Sequence, residues 1–162
     1  MCVGNITLGG AGKTPTVIEI RKLLRSYIKN IFVLTRGYKG KKKGPFIVKK
    51  NSIFQDVGEE SLIHAKYGPT CVSKNKYYGA KLCQDLGCKL IIMDDGLQSI
   101  DIKKNFKILV IDGIFGFGNK NIFPAGPLRE SIEESINNSD IILFLGKRSF
   151  LKKYNDIPKE KI

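Results

Sequence analysis

The sequence predicts an α/β fold in which a mostly parallel sheet carries helices on both faces. Short apolar segments of strand length, many of them β-branched, alternate along the chain with segments that have helical spacing. Several strand segments are apolar at every position, as strands buried on both faces of a sheet are. The 162 residues, 42% of them apolar, suffice for one domain with its own core, and no internal repeat or linker divides them.

The first predicted strand, Met1–Ile6, leads through a Gly-rich segment into a predicted helix at Thr14–Tyr27. The apolar residues of this helix fall on one stripe, and Pro15 stands in the first turn, where proline is tolerated. The later strands are predicted from continuous apolar or β-branched runs, which are Ile31–Thr35, Phe46–Lys49, Thr70–Ser73, Leu90–Met93, Lys107–Ile111 and Ile141–Leu145. The helices between them are predicted from amphipathic spacing at Glu59–Tyr67, Tyr77–Leu86 and Glu130–Asn138.

One long loop and one irregular tail are predicted as well. Gly113–Pro127 is rich in Gly and Pro, and a loop of this length inside a compact domain is usually functional or disordered. The tail, Lys152–Ile162, is charged and has no periodicity, and the Gly-rich segment begins almost at residue 1. We therefore expect the chain to lack pieces at both ends.

The net charge of +13 has two interpretations. It predicts attraction to an anionic partner, such as a nucleotide, a phosphorylated lipid, a membrane surface or nucleic acid. Alternatively it reflects composition, because the chain is rich in Lys, Ile and Asn throughout. The lysine run at 39–43 is predicted to be a solvated loop in either case. Nucleic acid is disfavoured, because aromatic residues do not interleave with the basic clusters.

Targeting and cysteine patterns indicate a cytoplasmic protein. No apolar run approaches the roughly 20 residues that span a bilayer, and the N-terminus lacks the basic start of a signal peptide. The cysteines have no C-x-x-C spacing, so neither a zinc site nor a redox pair is indicated. We expect them to be small buried or half-buried side chains: Cys2, Cys71, Cys83 and Cys88.

The segment Thr7–Thr14 reads TLGGAGKT, and it lies between a predicted strand and an amphipathic helix. That context is required of a phosphate-binding loop, and it predicts a three-layer P-loop NTPase fold. Lys13 would reach the β- and γ-phosphates, and Thr14 would offer its hydroxyl to magnesium. Thr7 stands where the strict pattern has Gly, and the alternative is a Gly-rich turn with a surface lysine. The predicted phosphate-binding residues are Gly9, Gly10, Ala11, Gly12, Lys13 and Thr14.

Two acidic pairs are candidates for chemistry. Asp94 and Asp95 end an apolar strand, where P-loop enzymes place a magnesium-binding acid, although an acidic turn before a glycine would look the same. Glu59 and Glu60 open a predicted helix, where one acid could accept a hydroxyl proton while the other supports the metal. Acids in a first turn also simply suit the helix dipole. His64, the single histidine, is expected to be on the surface or half-buried, and the chain cannot supply a histidine-based metal site.

Five motifs together resemble tetraacyldisaccharide 4′-kinases, in that family's order and over nearly the whole chain. They are Val3–Pro15 (VGNITLGGAGKTP), Thr35–Tyr38 (TRGY), Asp94–Gln98 (DDGLQ), Gly116–Asn119 (GFGN) and Pro124–Glu130 (PAGPLRE). The resemblance implies a kinase of lipid A biosynthesis, a phosphotransferase to an alcohol group. It would transfer the γ-phosphate of ATP, with Mg2+, to the 4′-hydroxyl of a tetraacyldisaccharide 1-phosphate. Such kinases work as peripheral proteins at the cytoplasmic face of the bacterial inner membrane.

The resemblance also implies roles for single residues. Gly9 to Thr14 would bind the ATP phosphates, and Asp94 and Asp95 would lie on the magnesium side. Glu59 stands where the family has the Asp proposed as catalytic base, and Glu60 matches the acid after it. Three further positions match polar residues expected near nucleotide or lipid phosphate: Arg36, Gln98 and Arg129.

The chain departs from the family at three points. Glu59 is one methylene longer than the usual Asp, so the base is either repositioned or about 1 Å out of place and slow. Ser99 replaces a histidine that would help to position a ligand. The family is longer, so 1–162 is expected to be the P-loop kinase N-terminal domain without the N-terminal membrane-docking segment and the C-terminal domain that closes the cleft. The alternative function is therefore a nucleotide-binding fragment with little or no turnover.

A regulatory GTPase is a third possibility, and the sequence disfavours it. Guanine-specific switches carry an Asn-Lys-x-Asp motif that reads the base. The nearest match is Asn119–Ile122 (NKNI), which lacks the acid. Together with the resemblance, this predicts adenine rather than guanine nucleotides.

Overall fold

The computed structural model describes residues 1–147, 149, 151, 154 and 157–162, and in this part of the chain seven strands form one sheet. The strands are β1 (Cys2–Gly4), β2 (Ile31–Thr35), β3 (Phe46–Ile47), β4 (Thr70–Val72), β5 (Leu90–Asp94), β6 (Lys107–Asp112) and β7 (Ile141–Leu145). The helices among the described residues are α1 (Lys13–Leu24), α2 (Phe54–Val57), α3 (Glu59–Ala65), α4 (Lys76–Asp85) and α5 (Ile132–Asn137), followed by a 3-10 turn at Lys159–Lys161.

The strand order is β3-β4-β2-β5-β1-β6-β7, and only the pairing of β3 with β4 is antiparallel. The mostly parallel sheet predicted from the sequence is therefore confirmed. β1 lies between β5 and β6, with Val3 paired to Asp94 on one side and to Ile108 on the other. This register brings the end of β5 beside the segment that leaves β1.

Side chains alternate between the two faces of the sheet and form hydrophobic clusters on both. On one face Val3, Val33 and Ile92 pack with Val17 of α1. On the other face Leu34 and Met93 pack with Cys83 of α4, and Leu109 and Ile111 pack with Ile136 of α5. α3 contacts α1 and also β2 and β4. Helices therefore cover both faces, as predicted, and the domain has three layers.

Most element positions match the predictions, while several bounds differ. β2 and β7 have the predicted bounds, but β5 extends one residue further, to Asp94. α1 ends at Leu24 rather than at Tyr27, whose side chain is exposed and adds nothing to the core. The four-residue helix α2 was not predicted, because one turn is too short to show a period. Part of the tail prediction, at residues 152–153 and 155–156, lies outside the described residues.

Two smaller expectations can also be compared with the structure. Three cysteines are buried and Cys88 is half-buried, which confirms their interpretation as small apolar side chains. The lysines of the run at 39–43 are exposed, as expected of a solvated loop. Among the described residues, no helix has the length and apolar character needed to cross a membrane.

Candidate functional site

The candidate site lies where β1 ends and the chain turns into α1. Gly12 is the N-cap of α1 with φ 78, and Gly9 has φ 111, both in the left-handed region that favours glycine. A Cβ on Gly12 would also clash with the side chain of Leu145. The glycines therefore allow the loop to curl over the helix N-terminus, where backbone N–H groups and the helix dipole favour an anion.

The loop is held from inside by Asn5, which is 1% exposed. Asn5 Nδ2 donates to both the carbonyl and the hydroxyl oxygen of Thr7, at 2.9 Å each. Asn5 Oδ1 accepts from Lys13 Nζ at 2.7 Å. The departure from the strict pattern at Thr7 is thus accommodated, because its hydroxyl has a buried partner.

The end of the loop 113–127 holds the same turn from outside. Leu8 N donates to Pro127 O at 2.7 Å, and Arg129 N donates to Ile6 O at 2.7 Å. Arg129 Nη1 donates to Asp95 Oδ1 at 3.0 Å, while Arg129 Nε is buried without a partner among the described residues. The long loop therefore ends by pairing with the phosphate loop, and Arg129 keeps a free donor there.

Asp94 lies beneath the start of α1 and is nearly inaccessible to solvent. Its Oδ2 accepts from Thr14 Oγ1 at 3.0 Å and lies 2.7 Å from His64 Nε2. Its Oδ1 is buried and has no partner within the described part of the chain. The structure thus brings together Thr14 and Asp94, two of the residues predicted to lie on the magnesium side.

The expectation for His64 is wrong, because its side chain is fully buried. α3 packs against α1 and the sheet, so the face that carries His64 is the inner one. His64 follows Glu60 by four residues and therefore shares its helix face. This spacing was the available sequence signal, but it could not show that the face meets Asp94, which is thirty residues away.

The side chain of Asp95 faces the phosphate loop. Asp95 adopts φ 58, an uncommon conformation outside glycine, and its Oδ1 lies 3.7 Å from Lys13 Nζ. Arg129 contacts the same oxygen. Asp94 therefore faces the hydroxyl of Thr14, and Asp95 faces the cationic groups of Lys13 and Arg129.

Glu59 and Glu60 share the first turn of α3 but differ in environment. Glu60 is half-buried, and burial raises the pKa of its carboxyl, with Asp94 adding to the shift and Lys13 opposing it. Glu59 is exposed, and its side chain forms no hydrogen bond or ion pair within the described residues. Glu60 therefore interacts electrostatically with Asp94 and Lys13, while Glu59 lies apart from these residues.

The remaining predicted residues divide in the same way. Gln98 Nε2 donates to Asn5 O at 3.3 Å and to Glu130 Oε1 at 2.9 Å, and Gln98 Oε1 accepts from Arg129. Arg36, by contrast, is exposed, and the structure shows no hydrogen bond that ties it to the loop. Gln98 and Arg129 are thus hydrogen-bonded to other residues of the candidate site, whereas Arg36 is not.

Lys76 is a residue of the site that the sequence did not single out. It opens α4, is 3% exposed, and its Nζ has no hydrogen-bond partner among the described residues. Burial lowers the pKa of its ammonium group, and the charges of Asp94 and Asp95 partly offset that effect. A positive charge therefore lies within electrostatic range of both acids. A lysine at a helix start gives no sequence signal of burial.

The donor groups of the site fit a magnesium ion shared with a nucleotide. Within the described ranges, no group of three or more His, Cys, Asp or Glu side chains is placed to hold a metal ion by itself. The protein offers the Thr14 hydroxyl and the unpartnered Asp94 Oδ1. Magnesium is usually held by one or two protein oxygens together with substrate phosphates and water, so this set is sufficient.

Comparisons with known proteins find one matching family and several similar relatives. The model of a family described as tetraacyldisaccharide-1-P 4′-kinase matches residues 1–161. Tetraacyldisaccharide 4′-kinases of Rhodopseudomonas palustris and Methylorubrum extorquens are 42% and 45% identical over 147 and 130 residues, covering 90% and 80% of this chain. Those alignments cover 44% and 40% of the relatives, so the chain spans less than half of their length.

A solved structure is also similar. The crystal structure of LpxK from Aquifex aeolicus in complex with ATP matches with a TM-score of 0.78 at 30% identity. The match covers 88% of this chain and 46% of that chain. It confirms the predicted P-loop kinase fold.

Proposed function

The chain belongs to the tetraacyldisaccharide-1-P 4′-kinase family, and on that premise we propose that it transfers the γ-phosphate of ATP, with Mg2+, to the 4′-hydroxyl of a tetraacyldisaccharide 1-phosphate in lipid A biosynthesis. The observation that carries the proposal is the meeting of Lys13 and Thr14 with Asp94 and Asp95. The ATP in the similar crystal structure and the names of the relatives support it. Family resemblance further supports a peripheral location on the cytoplasmic face of the inner membrane.

The phosphate loop supplies the groups that bind ATP. Backbone N–H groups of Gly9 to Thr14 face the phosphates, and Lys13 exchanges its bond to Asn5 for the β- and γ-phosphate oxygens. Thr14 and Asp94 would hold Mg2+, which neutralises charge that develops on the transferred group. The loop is already braced by Asn5, so little reorganisation is needed on binding.

The acids of α3 provide the proton acceptor. The 4′-oxygen bonds to the γ-phosphorus, the bond from that phosphorus to the bridging oxygen of ADP breaks, and the hydroxyl proton passes to a carboxylate. Glu59, which occupies the family's base position, accepts that proton in this proposal. Glu60 supports the metal side, because its carboxyl interacts with Asp94.

Cationic and polar residues around the loop bind the phosphate of the lipid substrate or of ATP. Arg129 Nε has no partner in the described part of the chain, and Asp95 and Gln98 orient the guanidinium group, so Nε can donate to an anionic oxygen. Arg36 is exposed, and in this proposal it contacts the phosphate of the substrate. The net charge of +13 favours the approach of both anionic substrates and of an anionic membrane surface.

Lys13→Ala tests the proposal directly. We expect the affinity for ATP to fall and phosphate transfer to drop by about 10²–10³-fold, because the lysine stabilises charge on the phosphates. ATP affinity is measured by titration calorimetry, and transfer is measured with labelled ATP and the acylated disaccharide 1-phosphate. Lys22→Ala, on the exposed side of the same helix, is the matched control. Unchanged ATP affinity in Lys13→Ala would remove the assignment of the phosphate loop.

A second candidate function is ATP binding with little or no turnover. Two observations favour it. No partner among the described residues orients Glu59, and Ser99 stands where the family resemblance implies a histidine. The same pair of measurements separates the two functions. Transfer above background supports the kinase, whereas ATP binding without transfer supports the binding function alone.

A further inference from the structure

His64 and Asp94 form a buried pair, and of the two the proposed mechanism uses only Asp94. Their side chains are 1% and 2% exposed, and Nε2 lies 2.7 Å from Oδ2. A charged carboxylate can only accept hydrogen bonds, so Nε2 carries the proton in this contact. Because Thr14 Oγ1 donates to the same oxygen, Oδ2 has two donors, and only Oδ1 is left for another ligand.

The backbone around His64 is itself fixed. Arg21, a buried residue of α1, donates to His64 O at 3.4 Å, to Ile31 O at 2.8 Å and to Pro69 O at 3.0 Å. One guanidinium group therefore ties the end of α3 to β2 and to the segment before β4. The imidazole is consequently held against Asp94 from a rigid position, rather than resting there by chance.

A purely structural contact would leave this arrangement unexplained. Burying polar atoms without partners costs free energy, yet Asp94 Oδ1, His64 Nδ1 and Ser61 Oγ are all buried and unpartnered among the described residues. Such atoms mark a place where a ligand or an ordered water completes the bonding. The unpartnered Oδ1 belongs to Asp94, and the other oxygen of that carboxylate accepts from Thr14 of the phosphate loop.

We propose that His64 is a positioning residue, which orients Asp94 so that its free Oδ1 faces the magnesium ion held with ATP. The inference rests on the proposed function, because it needs the metal and the nucleotide to bind at this loop. Groups that orient a metal ligand fix its geometry, and their loss typically lowers metal affinity by about 10- to 100-fold.

The test compares three substitutions of His64 in this chain. In Gln the amide nitrogen lies near the position of His Nε2, in Asn it lies near that of Nδ1, and Leu fills similar space without a donor. The readout is Mn2+ bound in the presence of ATP, counted by electron paramagnetic resonance, together with ATP affinity in the absence of metal. His64→Leu is expected to weaken Mn2+ binding by about 10- to 100-fold, with metal-free ATP affinity unchanged. His64→Gln is expected to retain most of the metal affinity, and His64→Asn less.

An Asp94→Asn background shows whether the effect passes through Asp94. There, His64→Leu should cause no further loss of Mn2+ affinity. Equal Mn2+ affinity in His64→Leu and the unsubstituted chain overturns the inference while the proposed function stands. Absence of metal-dependent ATP binding in the unsubstituted chain overturns both. If His64→Leu does not fold, the comparison of the other two variants tests the inference. Higher Mn2+ affinity in His64→Gln than in His64→Asn supports it, and equal Mn2+ affinities overturn it.

Discussion

The phosphate side of the site (Asn5, Lys13, Thr14, His64 and Asp94) is bonded within itself, whereas its acceptor side (Glu59 and Arg36) is exposed and unbonded. On the phosphate side, side chains from α1 and α3 contact one carboxylate, that of Asp94 at the end of β5. On the acceptor side, nothing among the described residues orients either group. Under the proposed function, the groups for ATP are therefore in place before binding, while the acceptor side takes its geometry only when a substrate binds.

The largest effect on the rate of phosphate transfer is expected for Glu59→Gln, which tests the acceptor side. If the exposed Glu59 accepts the hydroxyl proton, its loss should lower the rate of transfer by about 10²–10⁴-fold and leave ATP affinity unchanged. Steady-state kinetics on the acylated disaccharide 1-phosphate, with ATP binding measured in parallel, checks this. Glu133→Gln, an exposed acid in the first turn of α5, is the control. Full activity of Glu59→Gln would remove this residue from the mechanism and leave Glu60 as the candidate base.

Lys76→Met tests whether the phosphate side extends to the buried lysine. Removing a cation near Asp94 and Asp95 makes the site more negative, so ATP should bind more weakly and Mg2+ more tightly. We expect changes of up to about tenfold, or about 1.4 kcal/mol, in opposite directions for the two ligands. Titration of ATP without metal, and of Mn2+ alone, measures the two affinities separately.

Lys74→Met is the matched control for that experiment, because Lys74 lies two residues earlier and is exposed. It removes the same formal charge from a position that solvent and salt screen. Both affinities should then stay close to those of the unsubstituted chain. Parallel weakening of ATP and Mn2+ binding in Lys76→Met would indicate a packing defect instead of a charge effect.

The phosphate side could be predicted from sequence only where its groups are neighbours in the chain. Gly9 to Thr14 form one continuous motif, and Asp94 ends a strand that its own apolar residues define. The pairing of Asp94 with His64 depends on how α3 packs against α1 and the sheet, and no local pattern encodes that packing. Lys76 was missed for the same reason, since only the tertiary fold buries the first residue of α4.

The helices and strands could likewise be predicted only where the sequence signal is local. β2 and β7 were predicted to the residue, because each is a run of apolar residues that only Thr35 interrupts. Burial on both faces explains the run in β2, where every position is buried, but not in the edge strand β7, where Ile141 and Leu143 are exposed. Arg21 is a basic residue of α1, which the sequence alone would place at the surface, and its three carbonyl partners account for its burial. Local periodicity therefore predicted the elements, while the buried charged and polar residues had to come from the structure.

The smallest expected effect concerns Glu60, which stands on the boundary between the two sides. Its pKa is raised in the fold above the ordinary value of 4.5, so the folded state holds a proton more tightly than the unfolded state does. The stability that this proton confers is fully present below the unfolded pKa and is lost as pH rises through the folded pKa. At neutral pH the charged Glu60 therefore destabilises the fold, and Glu60→Gln should stabilise it.

We expect Glu60→Gln to raise Tm at pH 7 by about 1–3 °C, with a smaller gain near pH 4, since the effect on the free energy of unfolding is below about 1 kcal/mol. Thermal unfolding at the two pH values measures it. Glu133→Gln is matched, because both acids occupy the second residue of a helix and both substitutions remove a favourable interaction with the helix dipole. A Glu60→Gln variant that gains stability while it loses activity would mean that the acid cluster around Asp94 is kept for function at a cost to the fold. Equal loss of stability in both variants would instead place Glu60 with the exposed acceptor side.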